Sequence, residues 1–299
     1  MMRKFGGFGS LINGSGAGGR PKAAGGGAVL GMRRAPLVFI ILNAMVFAAV
    51  IAAFVMLRAE PATAAPGDGG YVALLGIDTE DSGPGGHGPI ATWQTFVNNL
   101  LAKPTNGGSG ILVVGGGKNA SDDATLFWNA IDNGTSGSVT YVNGTNKSGP
   151  NNDINDVSFA GYKMIAVVTD TNQLDNDADG VDDNGGGGLL QSEHDAFINR
   201  REDVATFVNN GGALLGFNSG LNNPFGYIEG VGSVSINNVA NYNNITATAE
   251  GGRLGLNNAL DVEAWHQTFN SYPSYLRILA RGGTSASSGP IAAIGGRGS

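Results

Sequence analysis

Apolar residues along this chain fall into short unbroken runs separated by stretches with helical spacing. Residues 71–77, 110–114, 139–142, 164–168 and 213–217 are runs of mostly Val, Ile, Leu and Ala. Runs this short, bounded by Gly, Asn and Asp, predict strands buried on both faces. Between the first two, Ile90, Trp93, Phe96, Val97, Leu100 and Leu101 recur at helical intervals. A second helix, with Ser121 as its cap, carries Leu126, Phe127, Ala130 and Ile131 on one face. A third, over residues 191–210, has Ser192 as its cap with Asp195 three positions on, and buries Phe197, Ile198, Val204, Phe207 and Val208. Alternating strands and helices predict an α/β fold: three layers, α/β/α, around a mainly parallel, doubly wound, flavodoxin-like sheet. After Gly220 the pattern loosens. Residues 234–236, 245–248, 276–280 and 291–294 are the remaining short apolar elements.

One apolar run is of another kind. Residues 37–57 are apolar except for Asn43. As a helix they would be about 31 Å long, which matches a hydrocarbon core of about 30 Å. Residues 1–35 before the run are Gly-rich and carry Arg3, Lys4, Arg20, Lys22, Arg33 and Arg34 with no acid. The basic flank predicts that residues 1–35 stay in the cytoplasm and that everything after Arg58 is exported. Residues 36–57 are thus a transmembrane anchor or a signal helix, and residues 58–70 a Pro-, Ala- and Gly-rich linker. Ala62-Thr63-Ala64 has the small-residue form of a signal cleavage site, so the alternative is secretion after cleavage near Ala64. Met32 offers a second start, which would leave Arg33 and Arg34 as the basic flank.

Composition narrows the chemistry. The chain has no Cys, which excludes thiolate nucleophiles, disulfides and zinc–thiolate sites. Residues 65–299 carry 10 basic and 23 acidic side chains, a net of −13. A body this acidic does not suit nucleic acid, whose affinity comes from Lys and Arg on phosphates, and favours cations. Gly115-Gly-Gly-Lys118 fails the spacing of a phosphate-binding loop, because Leu112 occupies the first glycine position and Asn119 follows the Lys.

The fifth predicted strand runs into Leu215-Gly216-Phe217-Asn218-Ser219-Gly220. A strand, a sharp turn and glycines at its shoulders are the layout of a nucleophile elbow. The stretch and the order of elements resemble the class I glutamine amidotransferase-like superfamily over residues 71–299. That family has Leu-Gly-Ile-Cys-x-Gly at this place, so Asn218 stands where the catalytic Cys would be. Its later His, usually in His-Pro-Glu, corresponds to His266 in Trp265-His266-Gln267-Thr268, without the Pro or the Glu. The resemblance implies the family's fold in a degenerate branch without amidotransferase activity. Ser219 stands beside the elbow position, where a turn hydroxyl bonds its own backbone.

Two acidic stretches are candidate sites. The loop after the first strand brings Asp78, Glu80, Asp81 and His87 to the same strand ends as Asn218, Ser219 and His266, so that all seven face one crevice. The second stretch, residues 175–183, places Asp175, Asp177 and Asp179 at alternate positions, then Val181, whose carbonyl is available, and Asp183. The spacing resembles thrombospondin type-3 and EF-hand-like loops and implies Ca2+, although Gly186 replaces the acid at the twelfth position. The expected protein is a non-catalytic surface or envelope domain that binds a protein or a glycan, with a calcium loop. The competing expectation is a non-thiol hydrolase built on His87, His266 and the neighbouring acids.

Overall fold

The computed structural model describes residues 69–145, 153–169, 186–242, 244–262 and 265–297. The apolar segment 36–57, most of the linker and the 175–183 loop lie outside the described residues. Among the described residues no helix is long and apolar enough to cross a membrane.

The chain is a mixed α/β structure around one large, mostly parallel sheet. Its strands are β1 (Tyr71–Leu75), β2 (Ile111–Val114), β3 (Val139–Val142), β4 (Met164–Val167), β5 (Ala213–Gly216), β7 (Ile245–Ala247), β9 (Arg277–Gly282) and β10 (Ile291–Arg297). They lie in the order β3-β2-β4-β5-β1-β10-β9-β7. The first five are mutually parallel, and β10, β9 and β7 extend the sheet antiparallel beyond β1. A separate antiparallel pair joins β6 (Ser235–Tyr242) to β8 (Trp265–Ser271). Every residue of β1, β2, β4 and β5 is buried, whereas the edge strand β3 is mostly not. Burial on both faces is why the inner strands read as continuous apolar runs.

The helices are α1 (Ile90–Leu101), α2 (Asp123–Gly134), α3 (Gln191–Asn199), α4 (Arg201–Asn209) and α5 (Ala249–Leu254). Helix α1 buries Trp93, Phe96, Val97, Leu100 and Leu101. It packs on α2, where Trp93 meets Phe127 edge-on at 6.4 Å and Gln94 Nε2 donates to the Ala130 carbonyl at 2.8 Å. Helices α3 and α4 pack with the 3-10 turn Gly226–Ile228, where Phe197 and Tyr227 lie 5.3 Å apart. The end of β5 faces both groups in succession, as alternation along a strand requires. A Cβ on Gly216 would stand 2.1 Å from the Tyr227 hydroxyl, while Phe217 meets Trp93 at 5.8 Å. Only glycine leaves room at 216 for the tyrosine.

Local details differ from the expectations. The expected helix over 191–210 breaks at Arg200, whose Nη1 donates to the carbonyls of Ile154 and Val157 and whose guanidinium lies 4.1 Å from the Phe159 ring centre. Asp122, not Ser121, is the cap position of α2, and its Oδ2 accepts from Asn119 N. Helix α3 starts after Leu190 rather than at Ser192, because the Glu193 carboxylate reaches back to Leu190 N at 2.9 Å. Strand β8 was not expected at all.

Candidate functional site

The carboxyl end of β1 is the meeting point of three segments. After Leu75 the chain continues extended through Gly76 and Ile77 to Asp78. On one side the turn after β5 follows it, with Asn218 N donating to Ile77 O at 3.0 Å. On the other side β8 closes in, with His266 N and Gln267 N both donating to Gly76 O at 2.8 and 3.1 Å. Gly76 permits this approach, since a Cβ there would lie 2.0 Å from the Gln267 carbonyl oxygen. Thus residues 188 positions apart come to face each other at Asp78 and His266.

Asp78 is held between two imidazoles. His266 Nε2 lies 2.9 Å from Oδ2, and His87 Nδ1 lies 3.0 Å from Oδ1 and 2.8 Å from the Asp78 carbonyl oxygen. The rings are therefore bridged by one carboxylate. Asp81 joins the group: one ligand atom each from Asp78, Asp81 and His87 lie within 4.8 Å of one another. Burial by itself would raise the Asp78 carboxyl, but the hydrogen bonds from His266 and His87 outweigh it and hold it below its ordinary value. His87 is raised to about 9, first through its hydrogen bond to Asp78, with burial opposing. All four side chains are partly open to solvent.

Glu80 does not face the crevice. Its carboxyl is fully buried, with Oε1 accepting from Trp128 Nε1 at 2.9 Å and Oε2 from Thr169 N at 3.3 Å. Burial raises it to about 7, against the pull of these hydrogen bonds. Nearby, burial and the Glu80 charge push the Tyr227 hydroxyl well above its ordinary value. The Tyr227 hydroxyl is buried without a hydrogen-bond partner.

The elbow is closed. Asn218 and Ser219 are 8% and 3% exposed, and the Ser219 hydroxyl accepts from Leu221 N at 3.1 Å, within its own turn. The buried Gln267 side chain donates to the Ser219 carbonyl at 2.6 Å. The pattern of apolar positions had offered no sign that Gln267 would pack here. The third histidine, His194, is buried in α3 with Nε2 3.1 Å from the Pro224 carbonyl.

A second crevice, at the ends of β2 and β4, is filled by the protein itself. Leu189 N donates to Thr169 O, and Ala124 N at the start of α2 donates to Gly186 O. Lys118 of the glycine-rich stretch is buried. Its Nζ lies 2.8 Å from Glu193 Oε2 and 2.6 Å from the Gly188 carbonyl oxygen, and Glu193 Oε1 also accepts from Gly144 N at 2.6 Å. Lys118 therefore ties three loops together and is not available to a phosphate. A cleft of about 360 Å3 lies at the opposite, amino ends of the strands, lined by Asn106, Phe159 and Arg200 among others. It is remote from Asp78 and holds none of the candidate residues.

Asp175, Asp177, Asp179, Val181 and Asp183 lie outside the described residues. The chain matches no family model, no curated protein and no solved structure.

Proposed function

We propose that residues 71–299 form a non-catalytic binding domain, held outside the cytoplasm by segment 36–57 or released by cleavage near Ala64. Its ligand, a protein or a glycan, engages the crevice at the carboxyl ends of β1 and β5. The supporting observation is the elbow. A chain without Cys has Asn218 at the apex, its amide tied to Ile77 O, and the adjacent Ser219 hydroxyl is engaged within its own turn. Covalent catalysis needs an accessible nucleophile within hydrogen-bond reach of a base. Here His266 is bonded to Asp78 instead.

Parallel strands in the order β3-β2-β4-β5-β1, with helix groups meeting Gly216 and Phe217 from opposite sides, suit a doubly wound, flavodoxin-like, three-layer domain. They also suit a degenerate amidotransferase-like one. The loop 175–183 is proposed as the calcium site of this domain on its oxygen-ligand spacing.

One observation favours a second reading. A carboxylate that orients an imidazole is half of a general-base system, and Asp78 with His266 has that form. The second reading is a non-thiol hydrolase using His266 and His87. Incubation of the full chain with glutamine and with p-nitrophenyl acetate separates the two. The binding reading expects no turnover above that of the Asp78→Asn variant. Turnover that depends on both Asp78 and His266 would replace it with the hydrolytic reading. Calorimetric titration with soluble cell-wall glycans, repeated on Asp78→Asn, tests the binding itself.

A further inference from the structure

We infer that Asn119, in the loop between β2 and α2, is an acceptor site for an N-linked oligosaccharide. The inference rests on the export reading above, because Asn-x-Ser/Thr serves as an acceptor in surface loops of exported proteins.

Five such tripeptides follow residue 69, beginning at Asn119, Asn133, Asn143, Asn146 and Asn244. Nothing in the tripeptides themselves ranks one above another. Asn146 lies outside the described residues. The fold separates the other four by two requirements. The carboxamide nitrogen has to be open to solvent, and the tripeptide has to be drawn into a transferase without dismantling a helix or a sheet.

Three of the four do not meet them. Asn143 is 9% exposed, and its Nδ2 donates to the Gly116 carbonyl at 2.7 Å. Asn133 belongs to the last turn of α2, whose backbone would have to unwind. Asn244 leads into β7. Its carbonyl accepts from Gly283 N at 2.7 Å, and Thr246 Oγ1 donates to the Gly283 carbonyl at 2.7 Å. That tripeptide is fixed to the sheet.

Asn119 meets both. Asn119, Ala120 and Ser121 are all exposed. Their hydrogen bonds among the described residues stay within 119–122. Asn119 N donates to Asp122 Oδ2 at 2.7 Å, and Asp122 N donates to the Asn119 carbonyl at 3.3 Å. Ser121 N and Ser121 Oγ both donate to Asn119 Oδ1, at 3.2 and 3.0 Å. No described residue accepts a hydrogen bond from Asn119 Nδ2. The tripeptide can therefore be extended while Lys118 stays tied to Glu193 beneath it.

The carboxamide is also prepared for the chemistry. An amide nitrogen is a weak nucleophile until it loses a proton, when negative charge moves onto the carbonyl oxygen. Two donors aimed at Oδ1 stabilise that charge. In the transfer, Nδ2 gives a proton to a base of the transferase and forms a bond to C1 of the sugar. The bond from C1 to the pyrophosphate oxygen breaks, and the lipid pyrophosphate leaves with the electron pair. The co-substrate is thus a lipid-pyrophosphate-linked oligosaccharide, and the product is a bulky, solubilising group over the end of β2.

The test incubates the purified full chain with a single-subunit oligosaccharyltransferase and a lipid-pyrophosphate-linked oligosaccharide. Chymotryptic cuts at Phe127, Trp128 and Tyr141 put Asn119, Asn133 and Asn143 on separate peptides for mass spectrometry. Occupancy of Asn119 is expected to exceed that of Asn133, Asn143 and Asn244 by about tenfold or more, because those three need local unfolding first. It is expected to be lost in Ser121→Ala and kept in Ser121→Thr, with near-ultraviolet circular dichroism showing that both variants are folded. An unmodified Asn119, equal occupancy of the four sites, or an Asn119 glycan that survives Ser121→Ala would overturn the inference and leave the export reading standing. Transfer to Asn119 in this mixture, but none when the full chain is made in cells whose transferase faces the exported side, overturns the export reading alone.

Discussion

Replacing Lys118 by Met removes one partner of a buried ion pair and leaves the other in place. Both side chains are 2% exposed and their charges lie 2.8 Å apart. Without Lys118, the Glu193 carboxylate keeps its hydrogen bonds from Gly144 N and Leu190 N, and Gly188 O loses its donor. Breaking a buried pair by removing one partner costs about 3–5 kcal/mol. The retained amide donors place the expected loss near the lower end, about 3 kcal/mol. That is a large part of the 5–15 kcal/mol typical of a folded domain. Urea unfolding followed by tryptophan fluorescence measures it, since Trp93, Trp128 and Trp265 are all fully buried. Glu193→Gln alone should be destabilising as well, because it leaves the lysine charge uncompensated. The double variant Lys118→Met, Glu193→Gln should lose at least about 1.5 kcal/mol less than the sum of the single losses, as groups in one network do. A loss below about 1 kcal/mol for Lys118→Met, or strict additivity, would mean that the pair is hydrated and that the β2–β4 crevice is open.

Three further outcomes are expected. Glu80 is raised from 4.5 to about 7 in the folded chain, so between those values the folded form binds more protons than the unfolded one and stability falls as pH rises. Between pH 4 and pH 8 the wild type should lose roughly 3 kcal/mol relative to Glu80→Gln, measured by urea unfolding in EDTA; equal pH slopes would show that Glu80 is not buried as described. Gly216→Ala should cost about 1–3 kcal/mol by overpacking against the Tyr227 hydroxyl, and Tyr227→Phe in the same chain should restore most of it, since that hydroxyl has no partner to lose; failure of the rescue would place the clash elsewhere. Millimolar calcium should raise the melting temperature, with the rise absent in Asp177→Ala, Asp179→Ala; a hundredfold excess over Kd corresponds to about 2.7 kcal/mol, and an unchanged melting temperature in the parent chain would reduce the loop to a solvated acidic insertion.

What the sequence made legible follows burial on two faces. Residues 71–77, 164–168 and 213–217 are apolar runs because helices or loops cover both sides of the inner parallel strands, and the observed strands start where these runs start. Strand β8 gave no such signal. Its inward positions include Gln267, buried through hydrogen bonds to the Ser219 carbonyl and to Asn238 Oδ1 rather than through apolar contact. The break at Arg200 was equally hidden, since it depends on carbonyls of Ile154 and Val157 more than 40 positions away. For the crevice, strand polarity was enough to bring Asp78, His87 and His266 to one end of the sheet. It did not reveal that Glu80, two residues from Asp78, turns inward. That outcome needs the Trp128 indole and the Thr169 amide, which only the folded chain supplies.

The position of the crevice has a topological reason. In an open parallel sheet a ligand crevice forms where connections from adjacent strands depart in opposite directions. Here β2 leads outward to β3 while β4 leads back to β5, so the ends of β2 and β4 are such a point. That place is taken by residues 186–190, held down by Lys118, Ala124 N and Thr169 O. A second opening arises because β1 leads to β2 across the sheet while β5 leads away toward β6. Its far side is walled by β8, which pairs with the extension of β1 rather than with β10's continuation, and this wall delivers His266. With the first crevice occupied by the Lys118–Glu193 pair and the second walled by an added strand, the solvent-facing imidazoles and carboxylates collect at Asp78. The three antiparallel strands beyond β1 move that strand from the edge of the parallel set to the interior of the sheet. The end of β1 at Asp78 thereby stands between the turn after β5 and the start of β8 rather than at an edge.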